Sequence, residues 1–83
     1  MSVSSEELRA ELRRGVDTMR MLRDEIRVHV HLASTDALQK WTDLEPRILE
    51  VETLAHRTGE EARTAVHEAV RELRELRDAI TSL

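Results

Sequence analysis

The sequence predicts an all-α protein of long amphipathic helices, which form a helical hairpin or coiled coil that self-associates into a helix bundle. Three observations support this prediction. Glycine and proline, which interrupt helices, occur only at Gly15, Gly59 and Pro46. Apolar side chains recur with the period of a helix along nearly the whole chain. Trp41 is the only aromatic residue and 36% of residues are charged, a composition typical of coiled coils and thin bundles.

Length and charge limit the functions to be considered. A chain of 83 residues forms one domain and buries too small a share of its surface to be highly stable alone. It has no cysteine, so disulfides and thiolate metal sites are excluded. The net charge of −4, with both signs interspersed, argues against nucleic acid or an anionic membrane as a partner. Without a secretion signal or an apolar run long enough to span a bilayer, we expect a cytoplasmic protein.

The first helix is expected to begin close to the N-terminus. Residues 1–4 are predicted to be disordered and residues 5–83 to form a single helical domain. Ser4 or Ser5 can cap this helix, because residues 4–7 have the Ser-x-x-Glu spacing of a capping box and place acidic side chains at the positive helix end.

Most apolar side chains form one continuous stripe. On a helical wheel advancing about 100° per residue they fall within a sector roughly 80° wide, and the phase hardly drifts between the two ends of the chain. A strict heptad repeat would slip by about 20° every seven residues, so strong left-handed supercoiling is not expected. Trp41 lies at the edge of the stripe, where we expect partial burial. The members of this apolar stripe are Leu8, Leu12, Met19, Leu22, Ile26, Val30, Ala33, Ala37, Leu44, Ile48, Val51, Ala55, Ala62, Val66, Ala69, Leu73, Leu76 and Ile80.

Three segments are candidates for a turn between helices. In residues 33–36 several poor helix formers adjoin, and Asp36 could form a capping box with Gln39. Residues 42–46 end in a proline, which is tolerated only in a first helical turn or at a kink. Residues 58–59 combine a glycine with the start of a Thr-x-x-Glu box. The chain is therefore expected to form two helices, or three.

Residues 21–33 carry a second apolar feature. Met21, Val28 and Leu32 lie about 140° from the stripe, and a helix that is apolar on two sides is normally packed between neighbours. Residues 26–32 also alternate with the period typical of a strand, but their helical flanks favour a helix. We place the core of an oligomer in this segment. The predicted self-association interface comprises Met19, Met21, Leu22, Ile26, Val28, Val30, Leu32, Leu73, Leu76 and Ile80.

Arginines line another face of the first helix. Acidic residues flank this face and no aromatic side chains are interleaved for base stacking, so a solvated face with some intermolecular salt bridges is favoured over a nucleic-acid site. The face consists of Arg9, Arg13, Arg20, Arg23 and Arg27. The candidate contacts with another protein are Trp41, Arg13, Arg20 and Arg27.

The four histidines raise the hypothesis of a metal site. On a helix His29 and His31 point about 160° apart and cannot share an ion. Glu52, His56 and Glu60, at four-residue spacing, could supply ligands that another chain completes. Solvated side chains are the favoured interpretation, so no metal or other cofactor is expected. Phosphate-loop, hydrolase and zinc-protease motifs are absent from the sequence, so an enzyme is not expected.

Residues 22–33, 40–45 and 58–62, which read LRDEIRVHVHLA, KWTDLE and TGEEA, resemble small bacterial helical coiled-coil proteins of uncharacterised function. The resemblance covers roughly residues 20–80 and implies long helices with a break at Gly59. Arginine outnumbers lysine twelve to one, as is typical of a GC-rich bacterial genome.

The function predicted from these features is protein interaction. The chain is expected to be a non-enzymatic scaffold that forms dimers or higher oligomers through its apolar stripe. One alternative is a regulatory or chaperone-like protein whose stripe binds a partner helix. A second alternative is a helical bundle that binds metal through histidine and glutamate.

Overall fold

The structure, a computed structural model, describes residues 4–57 and 59–81. The described residues contain three α-helices and no strand: α1 (Ser5–His29), α2 (Thr35–Ala55) and α3 (Glu60–Thr81), with a 3-10 turn at Val30–Leu32 after α1. The helices pack side by side into a bundle of 43 × 20 × 18 Å, in which α3 contacts both α1 and α2. The predicted all-α bundle is confirmed.

Helix α1 begins with the predicted cap. The Ser4 hydroxyl accepts a hydrogen bond from the backbone N–H of Glu7 at 3.2 Å, and Glu6 and Glu7 occupy the first turn. Ser4 is thus the N-cap residue of α1, while residues 1–3 of the predicted disordered segment, residues 1–4, lie outside the described residues. The strand-like alternation of residues 26–32 does not produce a strand, because α1 continues through His29 and ends in the 3-10 turn.

The first turn between helices lies at residues 33–34, and Ser34 rather than Asp36 caps α2. The Ser34 hydroxyl accepts a hydrogen bond from the N–H of Ala37 at 3.2 Å. Asp36 lies in the first turn of α2, and the Gln39 amide donates to Asp43 at 3.3 Å instead of forming the expected box. The chain turns here because Ser34 satisfies an N–H group that the start of a helix leaves without a partner.

Pro46 does not end a helix, since α2 runs through it. The proline has no N–H to donate to the Thr42 carbonyl, so α2 lacks one hydrogen bond at this point. The second turn lies between α2 and α3, where the carbonyl of Gly59 accepts the first α3 hydrogen bond from the N–H of Arg63 at 3.0 Å. Thr58, the expected cap of this helix, lies outside the described residues.

The core is made of the predicted stripe. Every member of the apolar stripe is buried or packs against the core, and Trp41 is buried with them. The chain therefore covers its main apolar face by folding on itself. Two turns make this possible, because they bring the stripes of three helices to one axis.

Gly15 lies inside α1, where it allows close helix packing. A Cβ atom added at this position would collide with the Cγ1 atom of Val66 on α3. The glycine thus lets α1 and α3 approach more closely than any other residue would permit.

Candidate interaction surface

The structure divides the predicted self-association interface into two groups. Six members lie inside the core of a single chain, and Val30 packs against that core half-buried. The remaining three, Met21, Val28 and Leu32, have exposed fractions of 53%, 62% and 72%. The six core members are Met19, Leu22, Ile26, Leu73, Leu76 and Ile80. These six are covered within a single closed chain, so the closed form leaves only the exposed members of the predicted interface to a second copy.

Met21, Val28 and Leu32 form what we call the outer patch. Met21 and Val28 are seven residues apart, so they lie two turns apart on the same side of α1, away from its core face. Leu32 lies in the 3-10 turn that follows. The phase of these residues relative to the stripe predicts that they lie away from the core face. It does not predict that they stay exposed, because another helix of the chain could have covered them.

The three helices differ in net charge. Helix α1 carries six acidic and six basic side chains, and is neutral when its histidine is neutral. Helix α2 carries five acidic and two basic side chains, and α3 carries six acidic and four basic ones. The outer patch therefore lies mainly on the helix without net charge, whereas α2 and α3 would repel the same helices of a second copy.

Most of the arginine face of α1 joins α1 to α2. Arg23 pairs with Glu52 at 3.1 Å and Arg27 pairs with Glu45 at 3.0 Å. Arg20 lies 3.9 Å from the same Glu52. Because the partners run in opposite order along the two helices, α1 and α2 are antiparallel. These arginines thus have partners within the chain. The sequence pattern marks Glu52 only as a candidate metal ligand and does not mark Glu45, although both glutamates lie on one side of α2.

Arg13 differs from the other candidate contacts. It is exposed, and within residues 4–57 and 59–81 it forms no ion pair. Trp41, by contrast, is 6% exposed and belongs to the core, as its position beside the stripe predicts. The indole is therefore not available to a partner while the bundle is folded.

Helix α3 is joined to its neighbours by further ion pairs. Arg47 of α2 pairs with Glu72 at 3.2 Å, and Arg77 of α3 lies 3.7 Å from Glu25 of α1. These pairs are exposed or half-buried, so each contributes at most about 1 kcal/mol. Their main consequence is for alignment of the helices, because opposite charges face each other along both contacts of α3.

The Glu11 carboxylate binds two groups of α3. Its Oε1 atom accepts a hydrogen bond from Arg63 Nε at 3.0 Å and lies 3.0 Å from His67 Nε2, which donates when protonated. Partial burial alone would raise the pKa of Glu11, but these hydrogen bonds and the positive charges behind them outweigh it, so the pKa lies below its ordinary value. Glu11 in its charged form therefore holds α1 against α3.

The side chains of the hypothetical metal site do not converge. Among the residues that the structure describes, no group of three or more histidine, aspartate or glutamate side chains could hold a metal ion. Glu52, one of the three side chains that could have supplied ligands, binds Arg23, and His67 lies against Glu11. His29, His31 and His56 are exposed at helix ends or turns.

The spaces between the helices are open grooves. A groove of about 490 Å³ lies between α1 and α3, one of about 510 Å³ between α2 and α3, and one of about 400 Å³ between α1 and α2. Charged side chains form much of each lining. Sites for small molecules usually enclose most of their ligand, whereas these three grooves are open to solvent.

Two further apolar side chains are exposed on α2. Leu38 and Leu49 are eleven residues apart, so they share one side of the helix, and they have exposed fractions of 46% and 58%. The sequence analysis did not single them out, although both lie outside the apolar stripe. No helix in the described part of the chain is long and apolar enough to cross a membrane.

The chain was compared with protein families, curated proteins and solved structures. No family model, no curated protein and no solved structure matches it.

Proposed function

We propose that this protein is a non-enzymatic helical interaction module that self-associates through the outer patch. The observation that carries the proposal is the exposure of Met21, Val28 and Leu32 on a bundle whose other strongly apolar face is already covered. Neighbouring exposed apolar side chains on a small helical protein are a common mark of a contact surface. We propose the cytoplasm as its compartment, which suits a chain without cysteine.

A second copy of the chain is the proposed occupant of the patch. Helix α1 has balanced charges, so two α1 helices can face each other without net repulsion. A partner with a strong charge of either sign would gain little from this face. The arrangement expected for two identical copies is a symmetric dimer in which each α1 packs on the other.

The size of the contact between two α1 helices predicts a weak dimer. Helix α1 has 25 residues, so one side of it is about 37 Å long and about 10 Å wide, which gives roughly 400 Å² per copy. Stable interfaces bury about 800 Å² per partner. We therefore expect association in the micromolar range or weaker, as for transient contacts.

Sedimentation velocity over a concentration series tests this proposal. The wild-type chain should change from monomer to dimer as its concentration rises toward 1 mM, a range set by the weak association expected from the interface size. Val28→Asp should raise the dissociation constant at least about tenfold, because it places a charge at the centre of the contact. Leu49→Asp is the matched control, since Leu49 is 58% exposed, compared with 62% for Val28, and the change in charge is the same.

Two results would contradict the proposal. One is a wild-type chain that stays monomeric at every concentration. The other is a dimer that Val28→Asp and Leu49→Asp weaken equally, because the outer patch would then have no special part in it. Far-ultraviolet circular dichroism must show that both variants keep the wild-type helix content.

A further inference from the structure

The apolar stripe keeps its phase through the first turn. Val30, Ala33 and Ala37 lie in the same sector of a continuous helical wheel as Ile26 before the turn and Leu44 after it. A closed bundle does not need the phase to be preserved across a turn, because the turn can reorient the following helix freely. The preserved phase would matter if α1 and α2 joined into one helix, since that helix would carry a single unbroken apolar face.

The backbone at this turn differs from a helix in ψ. Ala33 has φ −83° and ψ 166°, and Ser34 has φ −65° and ψ 163°, so both residues are extended. Both φ values suit an α-helix, so large rotations about two ψ angles would straighten the chain. Neither residue is a glycine or a proline, and the preceding residues, Val30–Leu32, already form a 3-10 turn. We call residues 30–34 the hinge.

Straightening the hinge would expose the core. Helices α1 and α2 would form one helix over residues 5–55, and the core face of α1, including the buried Met19 and Ile26, would leave α3. A second open copy can cover this face with its own α2 and α3, and it can place its own α1 on the α2 and α3 of the first copy. We propose that two copies of this chain exchange α1 through the hinge and form a domain-swapped dimer.

The ion pairs between α1 and α2 fit such an exchange. Arg27 lies opposite Glu45 and Arg23 lies opposite Glu52, so the antiparallel pairing is centred at residues 36–38, next to the hinge. Two straightened helices placed antiparallel about that centre bring the same side chains together, now between copies. The contacts of α1 with α3, including Arg63 with Glu11, also form again between copies.

The closed and exchanged forms differ mainly at the hinge. In the closed form Ser34 supplies the cap, and the N–H groups of residues 34–36 lack the helical partners that a continuous helix would give them. The exchanged form gains those hydrogen bonds and loses the cap. Ser34 is a poor helix former and would be helical only in the exchanged form, which favours the closed form at low concentration.

Thr35→Pro separates the two forms. Thr35 is the first residue of α2, a position that proline favours, and the extended conformation of Ser34 is the one that a following proline requires. In a continuous helix the same proline would lack an N–H and would collide with the carbonyl of His31. The variant should therefore keep the closed bundle and prevent the exchanged one.

The experiment compares refolded proteins by size-exclusion chromatography with light scattering. Each protein is unfolded, refolded at millimolar concentration, diluted and measured at once. The wild-type chain should give a dimer that persists after dilution, because its return to monomer requires α1 to leave the core. Thr35→Pro should give no such dimer. Ser34→Ala should raise the equilibrium constant for dimer formation about 25-fold, since each of the two monomers loses a hinge cap worth about a factor of five.

The exchange uses the core face rather than the outer patch, so it can fail independently of the proposed function. Val28→Asp should weaken only the dimer formed through the outer patch, and the persistent dimer should still form. Thr35→Pro should prevent the persistent dimer, and the rapidly reversible dimer formed through the outer patch should remain. The inference is overturned if the wild-type chain forms no persistent dimer, or if a folded Thr35→Pro variant forms as much of it as wild type. If Thr35→Pro loses helix content, the Ser34→Ala variant provides the test instead. A persistent-dimer fraction in Ser34→Ala equal to that of the wild-type chain would overturn the inference.

Discussion

Gly15→Ala gives a sharp test of the packing between α1 and α3. In an isolated helix this change would stabilise by about 1 kcal/mol, because alanine loses less backbone freedom than glycine. In the bundle the new methyl group would collide with Cγ1 of Val66, which is 1% exposed. A helical valine strongly prefers one side-chain rotamer, so Val66 cannot easily turn aside. Overpacking of this kind costs about 1–3 kcal/mol, so we expect a net loss of about 1 kcal/mol.

Urea unfolding followed by circular dichroism at 222 nm measures this loss. Val66→Ala is the control, because it removes the colliding atom. Alone, Val66→Ala should destabilise the bundle by leaving a cavity. In a chain that already carries Val66→Ala, Gly15→Ala should stabilise the bundle. The two substitutions should therefore be strongly non-additive. A single Gly15→Ala variant more stable than wild type would refute the reasoning, since α1 and α3 would then not be in the close contact described.

Three further predictions concern stability. Ile26→Asp should lower the free energy of unfolding by several kcal/mol, because it buries an unpaired charge. Val28→Asp, on the exposed side of α1, should change it by less than about 0.5 kcal/mol. Equal losses in urea unfolding would show that the two faces of α1 are misassigned. Pro46→Ala should raise the free energy of unfolding by about 1–3 kcal/mol, because it restores the missing α2 hydrogen bond. A melting temperature below that of the wild-type chain would mean that the bundle depends on the proline. Because the pKa of Glu11 is lowered in the folded chain, the contribution of Glu11 to stability is present above its unfolded pKa and is lost as the pH falls through its folded pKa. The melting temperature of Glu11→Gln should therefore fall less on acidification than that of the wild-type chain. A pH profile equal to that of wild type would contradict the contact of Glu11 with Arg63 and His67.

Part of the interaction surface could be read from the sequence. Met21, Val28 and Leu32 stand out because they are large, apolar and out of phase with the stripe. The ion pairs of Arg23 and Arg27 could not be identified, because their glutamate partners lie on another helix whose register depends on the turn. Pattern alone also cannot separate residues such as Leu73 and Leu76, which another part of the chain covers, from those left exposed.

The amino-acid sequence by itself determined that this protein is helical, where α1 begins and which side of each helix is buried. These properties are local, because helical period and a serine cap depend only on neighbouring residues. The tertiary structure decided where the chain turns, since the phase of the stripe continues through residues 33–34 and α2 continues through Pro46. It also decided that the stripe is covered by the chain itself, because an apolar face specifies that it must be buried but not which surface will bury it.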